Sequence, residues 1–275
     1  MRRINRSIVL FRVSLGVLRE HRSLIAFPMV SLLATLVVVA GFIGPVFGLL
    51  AHAGNPGPVG DVILACGYVA LSCVTVFCNA ALIHSANVAL SGGTPSFRDG
   101  FDAAASRKGA VLAWGAFSGT VSLLLRAAEQ RLGPLGRIFA ALGGLAWNMV
   151  AFIVLPVIVL DGISPQAAVR RSTELLRRTW GQQLGAIVGI GFGAFLLWAP
   201  SVVLFIVLAS AGGTAGALAG LVVCGVWLLT LGVLAGALTG VYQTALYRFA
   251  ADGVPPAAFA GADLQNAIRP RRCSR

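Results

Sequence analysis

The chain has 275 residues, of which 57% are hydrophobic and only 11% charged, and its net charge is +12. Soluble domains carry about 25% charged residues, and the mean hydropathy of +0.88 excludes an ordinary soluble domain. So strong a basic excess would suggest nucleic acid in a soluble protein. Here the basic residues stand between apolar segments, so anionic lipid is the expected partner and nucleic acid is not.

Residues 2–22 place Ile4, Ile8, Phe11, Leu15 and Leu18 on one helical face, with Arg3, Arg6, Arg12 and Arg19 beside or opposite it. This reads as an amphipathic helix lying at a membrane interface. From Leu24 to Leu50 there are 27 residues without a charge, and from Val62 to Ser91 another 30. About 20 suffice to cross a bilayer. The first run is about twice the length of a signal-peptide core and is expected to be a retained span.

Six spans fit, at roughly 24–50, 62–91, 109–126, 138–160, 184–210 and 215–248. The third is the weakest, with Ser118, Thr120 and Ser122 inside it and Arg126 and Glu129 at its end, three residues apart and able to pair. A tilted or re-entrant hairpin is the other form this segment could take. Of the 21 basic residues, all but Arg126, Arg131 and Arg137 fall on one side of this arrangement. The positive-inside rule then puts both termini in the cytoplasm. The dominance of Arg over Lys, with abundant Ala and Gly, suggests a GC-rich bacterial genome and hence a bacterial cytoplasmic membrane.

The fold class expected is therefore all-α: a polytopic membrane bundle of about six spans with cytoplasmic interfacial helices. A basic amphipathic helix followed by two apolar helices occurs three times, giving units of about 1–93, 94–163 and 164–253 within a single domain, 1–253, before a basic tail, 254–275. The later units open on Thr94-Pro95 and Ser164-Pro165, where a hydroxyl before a proline marks a helix start. In the third unit Arg170, Arg171, Arg177 and Arg178 flank an apolar stripe of Ala168, Leu175 and Leu176. With Arg3 and Arg6 they are the expected contacts to lipid headgroups or to a partner membrane protein.

Gly185, Gly189 and Gly193 recur every four residues in span five, as do Gly232, Gly236 and Gly240 in span six. Such spacing lets helices approach closely in lipid, and the two stripes are expected to pack spans five and six together. Gly212, Gly216 and Gly220 repeat the spacing at the start of span six. Pro156 and Pro200 are expected to kink spans four and five.

Asn79, Asn148 and Gln243 form a candidate intramembrane polar cluster, either bonding between helices or lining a cavity. Carboxylates are confined to span ends, at Asp61 and Asp161, which lowers the case for proton- or sodium-coupled transport. The five cysteines form no CxxC, so neither a metal nor a redox site is read. Ser118 lies in Gly115-Ala-Phe-Ser118-Gly119, one residue too long for the GxSG of intramembrane serine proteases. The three histidines, His21, His52 and His84, all precede it. No cofactor is implied, and the chain is expected not to be an enzyme.

The opening Met1-Arg-Arg-Ile-Asn-Arg-Ser, Val76-Phe-Cys-Asn79-Ala-Ala-Leu-Ile, Ala113-Trp114-Gly115, Trp147 with Pro156, and Arg171-Ser172 before Thr179-Trp180-Gly181 resemble an uncharacterised family of prokaryotic six-helix membrane proteins. These are packing and loop motifs and imply kinship without chemistry. More loosely, the helix grammar is similar to YciC-like proteins and to the membrane domain fused to some glycerophosphodiester phosphodiesterases. The function expected is a scaffold or accessory subunit contacting lipid or a partner complex. The alternative is a permease or channel for a neutral or lipid-like substrate.

Overall fold

The structure, a computed structural model, describes residues 16–53, 57–131 and 134–252. Among these the regular structure is helical. A short helical stretch at 16–20 leads into α1 (Ser23–Ala53), α2 (Gly57–Leu90), α3 (Phe97–Ser106), α4 (Lys108–Arg131) and α5 (Pro134–Pro156). A five-residue π-helix, Val157–Asp161, follows α5, and α6 occupies Pro165–Asp252. Gly213 interrupts α6 with φ 55° and ψ −137°, a conformation open to glycine and costly for other residues.

Five helices are long and apolar enough to cross a membrane: Ser23–Leu49, Gly57–Leu90, Lys108–Arg131, Leu142–Asp161 and Gly212–Arg248. The chain is a multi-pass helical membrane bundle. For the fifth expected span, 184–210, the helix is unbroken, but the side chains of 176–197 lie outside the described residues; the apolar stretch that can be assessed is Trp198–Ser210. The third expected span is one continuous helix of 24 residues, so it is not a re-entrant hairpin. Arg126 does not pair with Glu129 there. Its guanidinium sits 5.5 Å above the ring centre of Tyr68 on α2, a cation–π contact.

The two arms of α6 fold back on each other at Gly213. Cys224 Sγ donates to the Ser201 carbonyl at 3.1 Å. A Cβ on Gly220 would stand 3.2 Å from the Phe205 ring, and one on Gly216 would strike the Leu208 carbonyl. The close approach of spans five and six thus uses Gly216 and Gly220. Gly236 and Gly240 face elsewhere: a Cβ there would meet Pro28 of α1 and Leu82 of α2 respectively, and one on Gly232 would meet open space. The four-residue period marks a face of small residues; it does not say which neighbour that face meets. Gly185, Gly189 and Gly193 belong to the stretch whose side chains lie outside the described residues.

Two of the three expected interfacial helices, α3 and the start of α6, turn their apolar faces toward protein; Ile4, Ile8, Phe11 and Leu15 of the first lie outside the described residues. In α3, Phe97 and Phe101 stack on Phe27 of α1 at 5.0 and 5.6 Å between ring centres, and Phe101 lies 5.9 Å from Phe77 of α2. A Cβ on Gly100 would collide with Ser85, Phe27 and the Ala81 carbonyl, so α3 is pressed onto α2. It begins at Phe97 after an N-cap Ser96 that makes no side-chain cap bond, two residues beyond the start expected from Thr94-Pro95. At α6 the start expected from Ser164-Pro165 is met, and Ala168 N–H donates to the Ser164 carbonyl at 2.9 Å. No break separates this basic stretch from span five. Ala168 and Leu175 are buried in the main core, so the stripe they form is occupied by the bundle and is not free to enter lipid.

Candidate functional site at the basic end of the bundle

Proline carries no N–H and leaves the carbonyl four residues earlier without its helical donor. At Pro156 that carbonyl belongs to Phe152, and Gln243 of α6 donates its side-chain N–H to it. The helix then widens into the π-turn at 157–161. Such turns free carbonyls from the regular ladder. Arg107, the residue between α3 and α4, donates from Nη1 to the Ile158 carbonyl at 3.1 Å. Ser172 Oγ donates to the Val150 carbonyl, six residues before the proline, at 2.9 Å.

Asp161 ends the π-turn. It accepts a hydrogen bond from the Tyr247 hydroxyl and lies 3.7 Å from Arg171 Nε. A carboxylate at a helix C-terminus opposes the helix dipole, and the arginine and phenol offset that. Gly162 follows in the left-handed region with φ 70°. A Cβ there would run into the Arg107 guanidinium, so both the backbone and the close approach require glycine. Arg248 completes the arrangement, donating from Nη1 to Ser91 Oγ at 2.7 Å. Five segments therefore meet at this end: the α2 terminus, the α3–α4 junction, the π-turn and the two ends of α6.

Exposed basic side chains ring this node. Arg19, Arg22, Arg98, Lys108, Arg170 and Arg171 are all exposed. Ser23 Oγ donates to the Pro95 carbonyl at 3.1 Å, which ties the start of α1 to the α2–α3 connection. The Arg107 bond ties the α3–α4 junction to the π-turn. Five carboxylates, Glu20, Asp99, Asp102, Asp161 and Glu174, share these segments with eight basic groups once Arg107 and Arg248 are counted: Arg98 lies 3.7 Å from Asp102, and Arg171 shares Asp161. This end can attract phosphate or carboxylate groups by charge and by guanidinium hydrogen bonds.

The expected headgroup contacts Arg170 and Arg171 are on this surface. The side chains of Arg177 and Arg178, and residues Arg3 and Arg6, lie outside the described residues. The three residues of the expected polar cluster differ in their surroundings. Gln243 is buried and engaged with Phe152, Asn79 is half-buried, and Asn148 is exposed on the outside of α5. Among the described residues no hydrogen bond joins any two of them. Ser118 donates to the Gly115 carbonyl at 3.2 Å. Among the described residues there is no group of three His, Cys, Asp or Glu side chains suited to a metal ion.

Arg107, Ser172, Tyr247 and Arg248 were not singled out from the sequence. The signal for Gln243 was present, since Pro156 announces an unpaired carbonyl at Phe152. Nothing in the spacing announces the partners of Asp161, which come from residues 10 and 86 positions away.

The chain belongs to a family of unknown function (DUF6159), whose model matches residues 59–257. This agrees with the uncharacterised membrane family that the motifs resemble, and nothing found supports the looser likeness to YciC-like proteins. No curated protein and no solved structure matches the chain.

Proposed function

We propose that this protein is a non-enzymatic scaffold or accessory subunit of the bacterial cytoplasmic membrane, with its basic end and both termini cytoplasmic. Its exposed arginines bind the headgroups of anionic lipids and present the bundle to a partner membrane complex. The observation that carries this reading is the ring of exposed Arg19, Arg22, Arg98, Lys108, Arg170 and Arg171 around one end. Each basic residue near an anionic surface contributes about 1 kcal/mol.

The permease alternative needs polar groups that converge on a path. Gln243 is occupied by the Phe152 carbonyl and Asn148 points outward, which favours the scaffold. The test is native mass spectrometry of the full-length protein released from mixed vesicles of phosphatidylglycerol and phosphatidylcholine. The wild type should retain the anionic lipid several-fold over the zwitterionic one, and Arg170→Gln/Arg171→Gln should reduce that preference. Equal retention of the two lipids by the wild type would overturn the proposal. Reporter fusions at Asn55 and Arg275 test the orientation, with external and cytoplasmic signals expected respectively.

A further inference from the structure

Many of the polar side chains within the spans are accounted for locally. Thr75, Thr120, Ser122, Thr230 and Thr239 each donate to the carbonyl four residues earlier. Ser72 donates to the Gly115 carbonyl at 2.8 Å, and Gln243 to Phe152. Asn148 differs from all of these: it is exposed, and among the described residues its side chain has no hydrogen-bond partner.

Its depth makes this costly. Asn148 stands ten residues before Ile158, whose carbonyl is held by Arg107 at the basic end. At a rise of 1.5 Å per residue that is about 15 Å along the helix, or half of a hydrocarbon layer about 30 Å thick. Trp147, its neighbour, packs 5.7 Å from Trp114 of α4. An asparagine carries two N–H donors and a carbonyl acceptor, and acyl chains offer no partner for either. The side chain is too short to reach either headgroup region.

We propose that this face of α5 is the interface of a homodimer formed within the bilayer. A primary amide is its own complement. Two copies of Asn148 related by a two-fold axis exchange N–H···O bonds in both directions, as an isologous interface requires. Gly144 lies four residues earlier on the same face, and a Cβ there would meet nothing within 4 Å, so a second backbone can approach closely at that point. Leu145, 45% exposed, supplies apolar surface beside the amide. The occupant is a second copy of this chain, because identical helices bring identical amides to the same depth without any further adjustment.

The test is single-molecule photobleaching of the full-length protein in liposomes over a range of protein-to-lipid ratios. The wild type should form dimers. Asn148→Leu, which suits a lipid-facing position, should raise the mole fraction needed for half-dimerisation about ten-fold, given the usual strength of interhelical hydrogen bonds in lipid. Asn148→Gln keeps the amide and should stay near the wild type. Gly144→Leu blocks the approach without touching the monomer core and should also favour monomers. A wild type that stays monomeric at every ratio, including one that associates only with a different membrane protein, overturns the proposal. So does an Asn148→Leu variant that dimerises as the wild type does.

Discussion

Near its basic end the bundle packs large side chains into one core, where Trp114, Phe27, Leu24, Leu82, Ile83, Ile153 and Ile158 are all fully buried. In the opposite half the helices touch through small residues. Gly67 lies against Phe42, Gly119 against Ser72, and Gly220 against Phe205. Large apolar side chains there face outward, among them Val37, Phe47, Val62, Leu124, Ile206 and Val222. The contrast follows from the solvent each half meets. The basic end reaches water, so burying apolar area is favourable there. Deeper in the bilayer, lipid is as apolar as leucine, and helices gain only by close contact and hydrogen bonding.

The comparison breaks first if the core near the basic end is not the stronger half. Trp114→Ala should destabilise the protein by about 3–5 kcal/mol, as for other large-to-small changes in a packed core. Leu33→Ala, at a side chain that is 61% exposed on α1, should change stability by less than about 0.5 kcal/mol. Thermal or denaturant unfolding in one detergent measures both. Equal losses would mean that exposure does not separate the two halves energetically.

Glycine substitutions sharpen the contrast at the next level. A leucine at Gly240 must displace Leu82, whereas one at Gly232 meets open space. Overpacking costs about 1–3 kcal/mol, so Gly240→Leu should lower the melting temperature and the yield of folded protein, and Gly232→Leu should do neither. If the two behave alike, the stripe in span six acts by composition and not by contact.

Much of this was legible in the sequence, and the boundary of what was legible is physical. Uncharged runs locate spans because every charge in hydrocarbon is costly, and those runs recovered α1, α2 and α4 to within a few residues. The uncharged 211–214 segment foretold the reversal at Gly213. Periodicity found the glycine face of span six but could not choose between span five and the Pro28 and Leu82 surfaces it meets. Likewise it found the stripe of Ala168 and Leu175 but not whether lipid or protein covers it, since both solvents accept the same side chains. The polar node was hidden for another reason: Arg107, Asp161 and Tyr247 are far apart in sequence, and only tertiary packing joins them.

Gln243 and Pro156 allow a cleaner test of that node. Gln243→Leu removes the donor that the Phe152 carbonyl receives in place of a backbone N–H, and should cost about 1–2 kcal/mol. Pro156→Ala restores a backbone N–H at the right place. In that background Gln243→Leu should cost much less, and a double-mutant cycle measured by unfolding reports the difference. Additive effects would show that the glutamine and the proline act independently.

The smallest effect is expected at the ion pair on the rim of the node. Arg171 and Asp161 are separated by 3.7 Å, but their side chains are 52% and 30% exposed, so water and salt screen their attraction. Pairs of this kind contribute about 0–1 kcal/mol. The Tyr247 hydroxyl also donates to Asp161 and continues to hold the carboxylate when the arginine is gone. Arg171→Gln should therefore leave the unfolding transition nearly unchanged at moderate salt, while reducing the retention of anionic lipid. That separation of stability from lipid retention distinguishes an arginine that serves the outer surface from one that holds the node together. A loss of stability as large as that of Gln243→Leu would place Arg171 with the packed half, and the basic ring would then be structural at this position.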